Sequence, residues 1–252
     1  MIAFVHLVRA RNGIEPLRRF LDSYTEHPSN VAHKTLIVFK GFERKVHKPL
    51  LEDCRALLKS FDPAVGFVRD WMMLDLDAYG YALRRWRFDY YVFVNSFSII
   101  RAPGWMDKLY AAITLPGVGL ASCTGSFESR HGNRLLNRLL FPPFPNPHIR
   151  TNAFIISRDL MLKVWPRGIF FKPMSYLFES GRWGLTSRVE KLGFRIVLVG
   201  NEGIYEKDQW PSANLFRSED MSNLLVSDNQ THKYAASSGE EKACLRKMAW
   251  GI

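Results

Sequence analysis

Residues Phe88–Ile100 read FDYYVFVNSFSII, and this stretch decides the fold. Aromatic and β-branched side chains dominate its first half, which is typical of a strand buried on both faces of a sheet. Small polar residues from Asn95 to Ser98 then interrupt the apolar run. Ligands of open α/β sheets bind beyond the carboxyl ends of the strands. The end of this strand is therefore a candidate floor of a binding site.

Strand-like and helix-like patterns alternate on both sides of this stretch. Before it, the pattern predicts strands over 2–8, 34–39 and 65–68, and helices over 15–24, 49–61 and 75–86. After it, the pattern predicts strands over 117–122, 151–156 and 194–199, and helices over 105–113, 158–164 and 183–192. Residues 125–147 indicate a long loop with one short helix, and residues 237–252 a terminal helix. This order predicts an α/β fold, a Rossmann-like, mostly parallel sheet flanked by helices, in a single domain with a C-terminal extension.

The charge balance favours an anionic partner. The 252 residues carry a formal net charge of +11, which suits a nucleotide phosphate, a nucleic acid or an acidic membrane face. Nucleic acid ranks last because the sequence has no nucleic-acid-binding motif and no basic stripe interleaved with aromatic residues. Three widely spaced cysteines argue against a disulfide framework or a zinc site and suit a reducing compartment. We expect a cytoplasmic protein, with peripheral association at the inner face of a membrane left open.

Two segments carry a resemblance to a known family. In the first, a helix containing a glycine precedes the hydrophobic strand, a polar motif ends that strand, and a tryptophan, a helix and a Gly-Val-Gly strand follow. In the second, an acidic residue and an arginine come before a glycine and a strand. The residues are Gly80, Asn95-Ser96, Trp105, Gly117-Val118-Gly119, Glu179, Arg188 and Gly193. Over roughly residues 1–200 this order resembles the A-type fold of the family-2 glycosyltransferases, which use nucleotide-diphospho-sugars.

The resemblance implies a function and a domain layout. The expected activity is the transfer of a sugar, with inversion, from a nucleotide-diphospho-sugar donor to a glycan or glycolipid acceptor, as in polysaccharide biosynthesis. Residues 1–200 would form the transferase domain, with 1–100 as its nucleotide-binding half and 101–200 as its acceptor half. Residues 201–252 would pack over the site as an extension.

Three departures from the family pattern leave an alternative open. The pair of acidic residues that carries catalysis in the family is reduced to Glu179 within the stretch FESGR. The Asp-x-Asp carboxylates that hold Mn²⁺ or Mg²⁺ in the family are replaced by Asn95-Ser96-Phe97-Ser98, and hard cations prefer charged oxygens. The acidic pair that often ends the second strand is replaced by Phe39-Lys40-Gly41. The alternative is a catalytically inactive protein of this fold that binds a glycan or another protein. A hollow at Asn95 plugged by Phe97, Met72 or Trp71 would favour it.

Glu179 is the candidate catalytic base of the transfer reaction. It follows the apolar residues Tyr176-Leu177-Phe178, so we expect partial burial, as suits a general base. The neighbouring Ser180-Gly181 indicates a turn at a site. The alternative is a surface or helix N-terminal carboxylate stabilised by the helix dipole.

Candidate donor-binding residues fall at predicted strand ends and on the helix around Gly80. Without a metal, arginines would neutralise the diphosphate, because guanidinium groups match phosphate oxygens; solvated surface charges are the alternative. Asp70 would bind the base or ribose, Asp77 would act similarly or cap its helix, and Asn95 and Ser96 would contact ribose or phosphate or only end the strand. The donor-binding set is Arg9, Asp70, Asp77, Gly80, Arg84, Asn95 and Ser96.

Candidate acceptor or diphosphate contacts lie further along the chain. Arg150-Thr151-Asn152 place three polar groups at the start of a buried strand. In the C-terminal extension, Trp210 would face the donor or pack in the core. Asp228 could replace a metal ligand or act as another base. The predicted contacts are Arg150, Asn152, Arg182, Trp210 and Arg217.

Overall fold

The structure is a computed structural model, and it describes residues 1–43, 45–70, 75–166 and 172–252. Trp71 and Met72, two of the residues expected to decide whether the site is open, lie outside these ranges. The strands are β1 (Ile2–Arg9), β2 (His33–Lys40), β3 (Ala64–Val68), β4 (Tyr90–Val94), β5 (Ile99–Ile100), β6 (Val118–Ser122), β7 (Gly125–Ser126), β8 (His148–Ile149), β9 (Ala153–Ser157), β10 (Arg195–Val199), β11 (Ile204–Tyr205) and β12 (Val226–Ser227). The helices are α1 (Glu15–Glu26), α2 (Lys48–Leu58), α3 (Leu76–Arg85), α4 (Trp105–Ile113), α5 (Leu135–Leu140), α6 (Arg158–Val164), α7 (Lys172–Ser180), α8 (Leu185–Lys191), α9 (Asn229–Ala236) and α10 (Gly239–Trp250).

The central sheet is mostly parallel, as the sequence predicts. Among the described residues it contains eight strands in the order β11-β10-β6-β9-β4-β1-β2-β3. The run from β3 to β4 is parallel, and β10 pairs parallel with β6. Strand β9 is antiparallel to both β4 and β6, and β11 is antiparallel to β10. The predicted α/β fold class is confirmed, with β4 in the middle of the sheet.

Strand β4 holds the two faces of the core together. Its side chains alternate between the faces of the sheet, as in any strand. Tyr91 and Phe93 pack in the apolar cluster that includes residues of α3 and α8, whereas Val92 and Val94 pack in the cluster that includes residues of α1 and α4. All four side chains are buried. This burial explains why the stretch is apolar throughout rather than alternating with polar residues.

The C-terminal extension returns to the end of β4. Strand β12 pairs antiparallel with β5, so that Val226 lies opposite Ile100. Asp228 follows immediately and caps α9, accepting hydrogen bonds from the backbone N–H groups of Gln230 and Thr231. This pairing brings a buried carboxylate from residue 228 to the edge of the sheet where β4 ends.

Helix α7 differs from the sequence-based expectation. No helix is predicted over its residues, and Glu179 is expected at a turn or near a helix N-terminus. In the structure Glu179 lies in the last turn of α7, and the chain turns only at Gly181. A Cβ atom at Gly181 would meet the carbonyl oxygen of Leu177 at 2.4 Å, so this turn requires glycine.

Candidate active site

A polar hollow lies beyond the carboxyl end of β4. Its volume is about 190 Å³, which is smaller than a typical cleft for a drug-sized ligand and suits part of a larger molecule. Five separate parts of the chain contribute to it: the end of β4, the turn before β9, the start of α3, helix α7 and the start of α9. The lining residues are Asp75, Leu76, Asn95, Arg150, Thr151, Asn152, Ser175, Tyr176, Glu179, Asp228, Asn229 and Gln230.

The carboxylate of Glu179 is held by the turn before β9. Its Oε2 atom accepts hydrogen bonds from the backbone N of Thr151 at 2.9 Å and from Thr151 Oγ1 at 2.6 Å. The Tyr79 hydroxyl on α3 donates to the carbonyl oxygen of Thr151 at 3.0 Å. The turn is therefore fixed from two sides, and Glu179 Oε1 makes no hydrogen bond with any described residue.

Arg150 and Asp228 form a buried ion pair. Arg150 Nη2 donates to Asp228 Oδ2 at 2.9 Å, and the two side chains are 13% and 0% exposed. Burial alone would raise the pKa of Asp228, but the Arg150 guanidinium and the backbone N–H groups that it caps lower this pKa below its usual value. The guanidinium also lies over the ring of Phe216, at 4.1 Å from the centroid. Arg150 is thus held in a fixed position.

Three buried donors in this hollow have no hydrogen-bond partner among the described residues. They are Arg150 Nη1, Asn152 Nδ2 and Ser175 Oγ. The other end of the Asn152 amide is engaged, because its Oδ1 atom accepts from Thr124 Oγ1 at 2.6 Å. Buried polar groups in proteins are nearly always paired, with protein, water or ligand. All three belong to residues that line the hollow, and donors left without a partner favour a ligand rich in oxygen acceptors.

Asp75 is a third carboxylate in the hollow, after Glu179 and Asp228, and sequence reasoning missed it as a site residue. It comes directly before α3, and its Oδ1 atom lies 3.9 Å from Arg9 Nε at the end of β1. Burial raises the pKa of Asp75, and Glu179 adds to this rise, whereas Arg9 and Lys40 oppose it. The only signal in the sequence was a group of three acidic residues between positions 70 and 77, namely Asp70, Asp75 and Asp77. Lys40, which pairs with Asp70 and Asp77, leaves Asp75 as the one of the three that lines the hollow.

Four of the predicted site residues come together in this hollow: Asn95, Arg150, Asn152 and Glu179. Asn95 Oδ1 accepts from the Phe97 backbone N at 2.9 Å and from Ser98 Oγ at 3.1 Å, so the oxygen of its amide ends the strand locally. The Phe97 side chain is 38% exposed and does not line the hollow. Phe97 therefore does not plug the site.

The remaining predicted residues at the ends of β1, β2 and β3 do not line the hollow. Lys40, fully buried at the end of β2, binds Asp77 at 2.5 Å and lies 3.6 Å from Asp70. These two carboxylates neutralise a buried lysine, and neither of them is among the residues that line the hollow. Arg9 is buried behind Asp75 and reaches the hollow only through it.

Ser96, Gly80 and Arg84 also have local explanations. Ser96 Oγ accepts from Asn12 Nδ2 at 2.9 Å. A Cβ atom at Gly80 would lie 2.6 Å from the indole of Trp165, so glycine is required there by packing. Arg84 is exposed on α3.

The three predicted contacts outside the 150–152 turn lie at different places. Arg182 donates to the carbonyl oxygens of Arg138 and Leu139, at the end of α5. Trp210 is fully buried in the core, and its indole N donates to the carbonyl oxygen of Tyr205. Arg217 borders the hollow, because its Nη2 donates to Gln230 Oε1 at 3.2 Å while Nη1 lies 3.3 Å from Glu128. Trp210 thus has the core-packing role that the sequence left open.

The side chains at the end of β4 do not fit a divalent cation. Such ions take several oxygens, with carboxylates among them. Asn95 Oδ1 and Ser96 Oγ already accept hydrogen bonds, and Asp228 is occupied by Arg150 and its helix. Across residues 1–43, 45–70, 75–166 and 172–252, no group of three His, Cys, Asp or Glu side chains could hold a metal ion.

Comparison with known proteins identifies the fold but not a family. No protein-family model and no curated protein sequence matches this chain. Among solved structures, the mannosyltransferase PcManGT from Pyrobaculum calidifontis, in complex with GDP-Man and Mn²⁺, superposes with a TM-score of 0.53 at 12% identity. The match covers 84% of this chain and 59% of the mannosyltransferase, so this chain spans about three fifths of that length.

Two further structures are similar at lower scores. GalNAc-T7 with UDP, GalNAc and Mn²⁺ has a TM-score of 0.49 at 13% identity, over 79% of this chain and 41% of the other. TarS from S. aureus has a TM-score of 0.47 at 12% identity, over 81% and 36%. The mannosyltransferase superposition shows the A-type glycosyltransferase fold, which confirms the resemblance in the sequence at the level of the fold. No described helix is long and apolar enough to span a bilayer.

Proposed function

We propose that this protein is a glycosyltransferase that takes a sugar from a nucleotide-diphospho-sugar and transfers it, with inversion, to a hydroxyl of a glycan or glycolipid. The observation that carries the proposal is the hollow at the end of β4, which Glu179 lines together with Arg150, Asn152 and Ser175, three residues that each keep a buried donor without a partner among the described residues. A sugar diphosphate is rich in oxygen acceptors and negative charge, which these donors match. In this fold the position is the end of the central strand, where ligands of α/β sheets bind.

In the proposed reaction Glu179 acts as the general base. The acceptor oxygen forms a bond to the anomeric carbon, the bond from that carbon to the diphosphate oxygen breaks, and the nucleoside diphosphate leaves with the electron pair. The proton of the acceptor hydroxyl goes to Glu179, through the Oε1 atom that Thr151 leaves unbonded. A fixed carboxylate avoids the cost of orienting a base during the reaction.

Arg150 would stabilise the leaving diphosphate. One edge of its guanidinium is neutralised by Asp228, and the Nη1 atom on the other side is an unpaired donor. A preorganised cation that is largely excluded from water stabilises developing negative charge strongly. Because the side chains at the end of β4 do not fit a divalent cation, we expect the diphosphate to bind even when Mn²⁺ and Mg²⁺ are chelated.

A thermal-shift panel of nucleotide sugars and nucleoside diphosphates, with Mn²⁺ and with EDTA, tests the proposal. At least one nucleotide should raise Tm, and the shift should survive EDTA. Glu179→Gln should keep this shift but lose transfer or hydrolysis of the bound sugar, whereas the exposed control Glu202→Gln should keep both. If none of the nucleotide sugars or nucleoside diphosphates raises Tm, the proposal fails. If the wild type binds a nucleotide sugar and Glu179→Gln still transfers the sugar normally, Glu179 is not the base. If the wild type binds nucleotide sugars but transfers none, the protein is the catalytically inactive alternative.

A further inference from the structure

An apolar patch with a basic rim lies next to the helix that carries Glu179. On α5, the side chains of Leu135, Leu136 and Leu139 are 73%, 65% and 59% exposed. Residues spaced at i, i+1 and i+4 lie on one side of a helix. Trp183, 54% exposed, lines a shallow apolar hollow together with Leu140 at the end of α5. We call these exposed side chains, with the arginines that surround them, the α5 patch.

The rim of the α5 patch is positively charged. Residues 129–147 contain three arginines and no acidic residue, and residues 180–189 contain two more arginines, again without an acid. Arg134 is exposed directly before the leucines, and Arg138 is exposed between Leu136 and Leu139. Exposed Arg182 closes the end of α5 through its hydrogen bonds to carbonyl oxygens. The patch therefore combines three exposed leucines and a tryptophan with at least three exposed cations.

This combination is suited to one kind of partner. Exposed apolar surface usually marks an interaction site when it is contiguous and has a polar rim. Leucines that enter the acyl chains, a tryptophan at the boundary and arginines at the level of the headgroups are the features of a protein surface that lies on an anionic bilayer. The net charge of +11 on the chain adds long-range attraction to such a surface. We propose that the α5 patch docks this protein on the surface of an anionic lipid bilayer.

The patch is physically connected to the hollow. Arg182 lies three residues after Glu179, and its backbone N donates to the carbonyl oxygen of Leu140 at 2.8 Å. From the other side, the Arg130 guanidinium lies 4.0 Å from the centroid of the Tyr176 ring, and Tyr176 lines the hollow. Docking would bring the Glu179 side of the hollow towards the bilayer. This orientation, which rests on the proposed function, favours an acceptor whose lipid part stays in the membrane.

Vesicle flotation without any nucleotide tests the docking. The full chain should bind vesicles that contain about 30% phosphatidylglycerol and should not bind pure phosphatidylcholine vesicles, and binding should weaken as salt is raised. The double variant L135E/L139E should lower the partition coefficient on anionic vesicles by about tenfold or more. The matched control Leu192→Glu, at a leucine 49% exposed on another part of the chain, should bind like the wild type.

Two further measurements separate the alternatives. Brominated lipids should quench tryptophan fluorescence in the wild type, and Trp183→Phe should lose most of this quenching while keeping its Tm. Equal vesicle binding by L135E/L139E and wild type would overturn the proposal. So would a sedimentation coefficient that reveals a dimer lost in L135E/L139E, because the patch would then cover a second copy. Glu179→Gln should still bind vesicles, so that failure of the proposed reaction and failure of docking give different results.

Discussion

Thr151 donates two hydrogen bonds to one oxygen of Glu179, from its backbone N at 2.9 Å and from its hydroxyl at 2.6 Å. The hydroxyl bond is the only one of the two that a side-chain substitution can remove. Both bonds reach Oε2, which directs the remaining oxygen away from the turn. Thr151 is therefore a positioning residue for the proposed base.

Replacing Thr151 with valine should lower kcat by about tenfold to a hundredfold, because a base displaced by up to an ångström loses much of its effect. The KM for the donor should change little, since Thr151→Val keeps the backbone donor and the shape of the turn. Thr151→Ser restores the hydroxyl and should recover most of the rate. Steady-state kinetics on the three proteins check this. Equal loss in the serine and valine variants would show that the methyl group, not the hydroxyl, matters.

The Arg150–Asp228 pair should be needed for stability as well as for binding. Asp228→Asn keeps an oxygen for capping α9 but leaves the guanidinium of Arg150 buried without its counter-ion, so we expect a loss of about 3–5 kcal/mol in the free energy of unfolding. Urea unfolding measures this loss, and the exposed control Asp53→Asn should unfold like the wild type.

The pH dependence of that loss has a defined sign. The pKa of Asp228 is lower in the folded protein than in the unfolded chain. The stability that its ionisation contributes is therefore present above the usual value of 3.8 and is lost as pH falls through the lowered pKa. The difference between wild type and Asp228→Asn should shrink in acid. A difference independent of pH would show that the pair contributes nothing through its charges.

The sequence predicts the sheet better than the site, for a physical reason. Strand β4 is predictable because burial on both faces demands an unbroken apolar run. The antiparallel direction of β9 is not predictable, because a buried strand has the same composition whether it runs parallel or antiparallel to its neighbours. Helix α7 escapes prediction although its apolar residues recur at a helical spacing, because Ser180-Gly181 directly after Glu179 indicates a turn.

Charged residues are harder to place than apolar ones. Asp70, Asp75 and Asp77 look alike in the sequence, yet only Asp75 lines the hollow, because Lys40 at the end of β2 draws the other two to itself. The replacement of an acidic pair by Lys40 was visible in the sequence. Which carboxylates this lysine would bind depends on the distance between the ends of β2 and α3.

Ionisation of Asp75 in the folded protein should lower the free energy of unfolding, and this effect should be visible as pH changes. Burial and Glu179 raise the pKa of Asp75 above the usual 3.8, despite the opposing effect of Arg9. The folded protein then binds a proton more tightly than the unfolded chain does, so this residue's contribution to stability is lost as pH rises from 3.8 through the raised pKa. Asp75→Asn removes the titration. The wild type should therefore lose stability relative to Asp75→Asn over this range in urea unfolding, and parallel curves would contradict the prediction.

His6 on β1 should be the main source of acid sensitivity on the opposite face of the sheet. Its ring is fully buried, stacks on Phe20 with centroids 3.9 Å apart, and neither ring nitrogen has a hydrogen-bond partner among the described residues. Burial lowers the pKa of His6 to about 3. The unfolded chain takes up this proton near pH 6.5. The stability that the neutral His6 ring contributes is therefore fully present above that pH and is lost as pH falls towards 3.

Over that interval the loss approaches about 5 kcal/mol, since each pKa unit corresponds to about 1.4 kcal/mol. His6→Leu keeps an apolar side chain of similar size and removes the titration. Urea unfolding between pH 7 and pH 4 should therefore show a steeper loss of stability for the wild type than for His6→Leu. His131→Gln, at a histidine in the long loop before β8, should follow the wild-type curve. If His6→Leu and the wild type lose stability in parallel, another group accounts for the acid sensitivity.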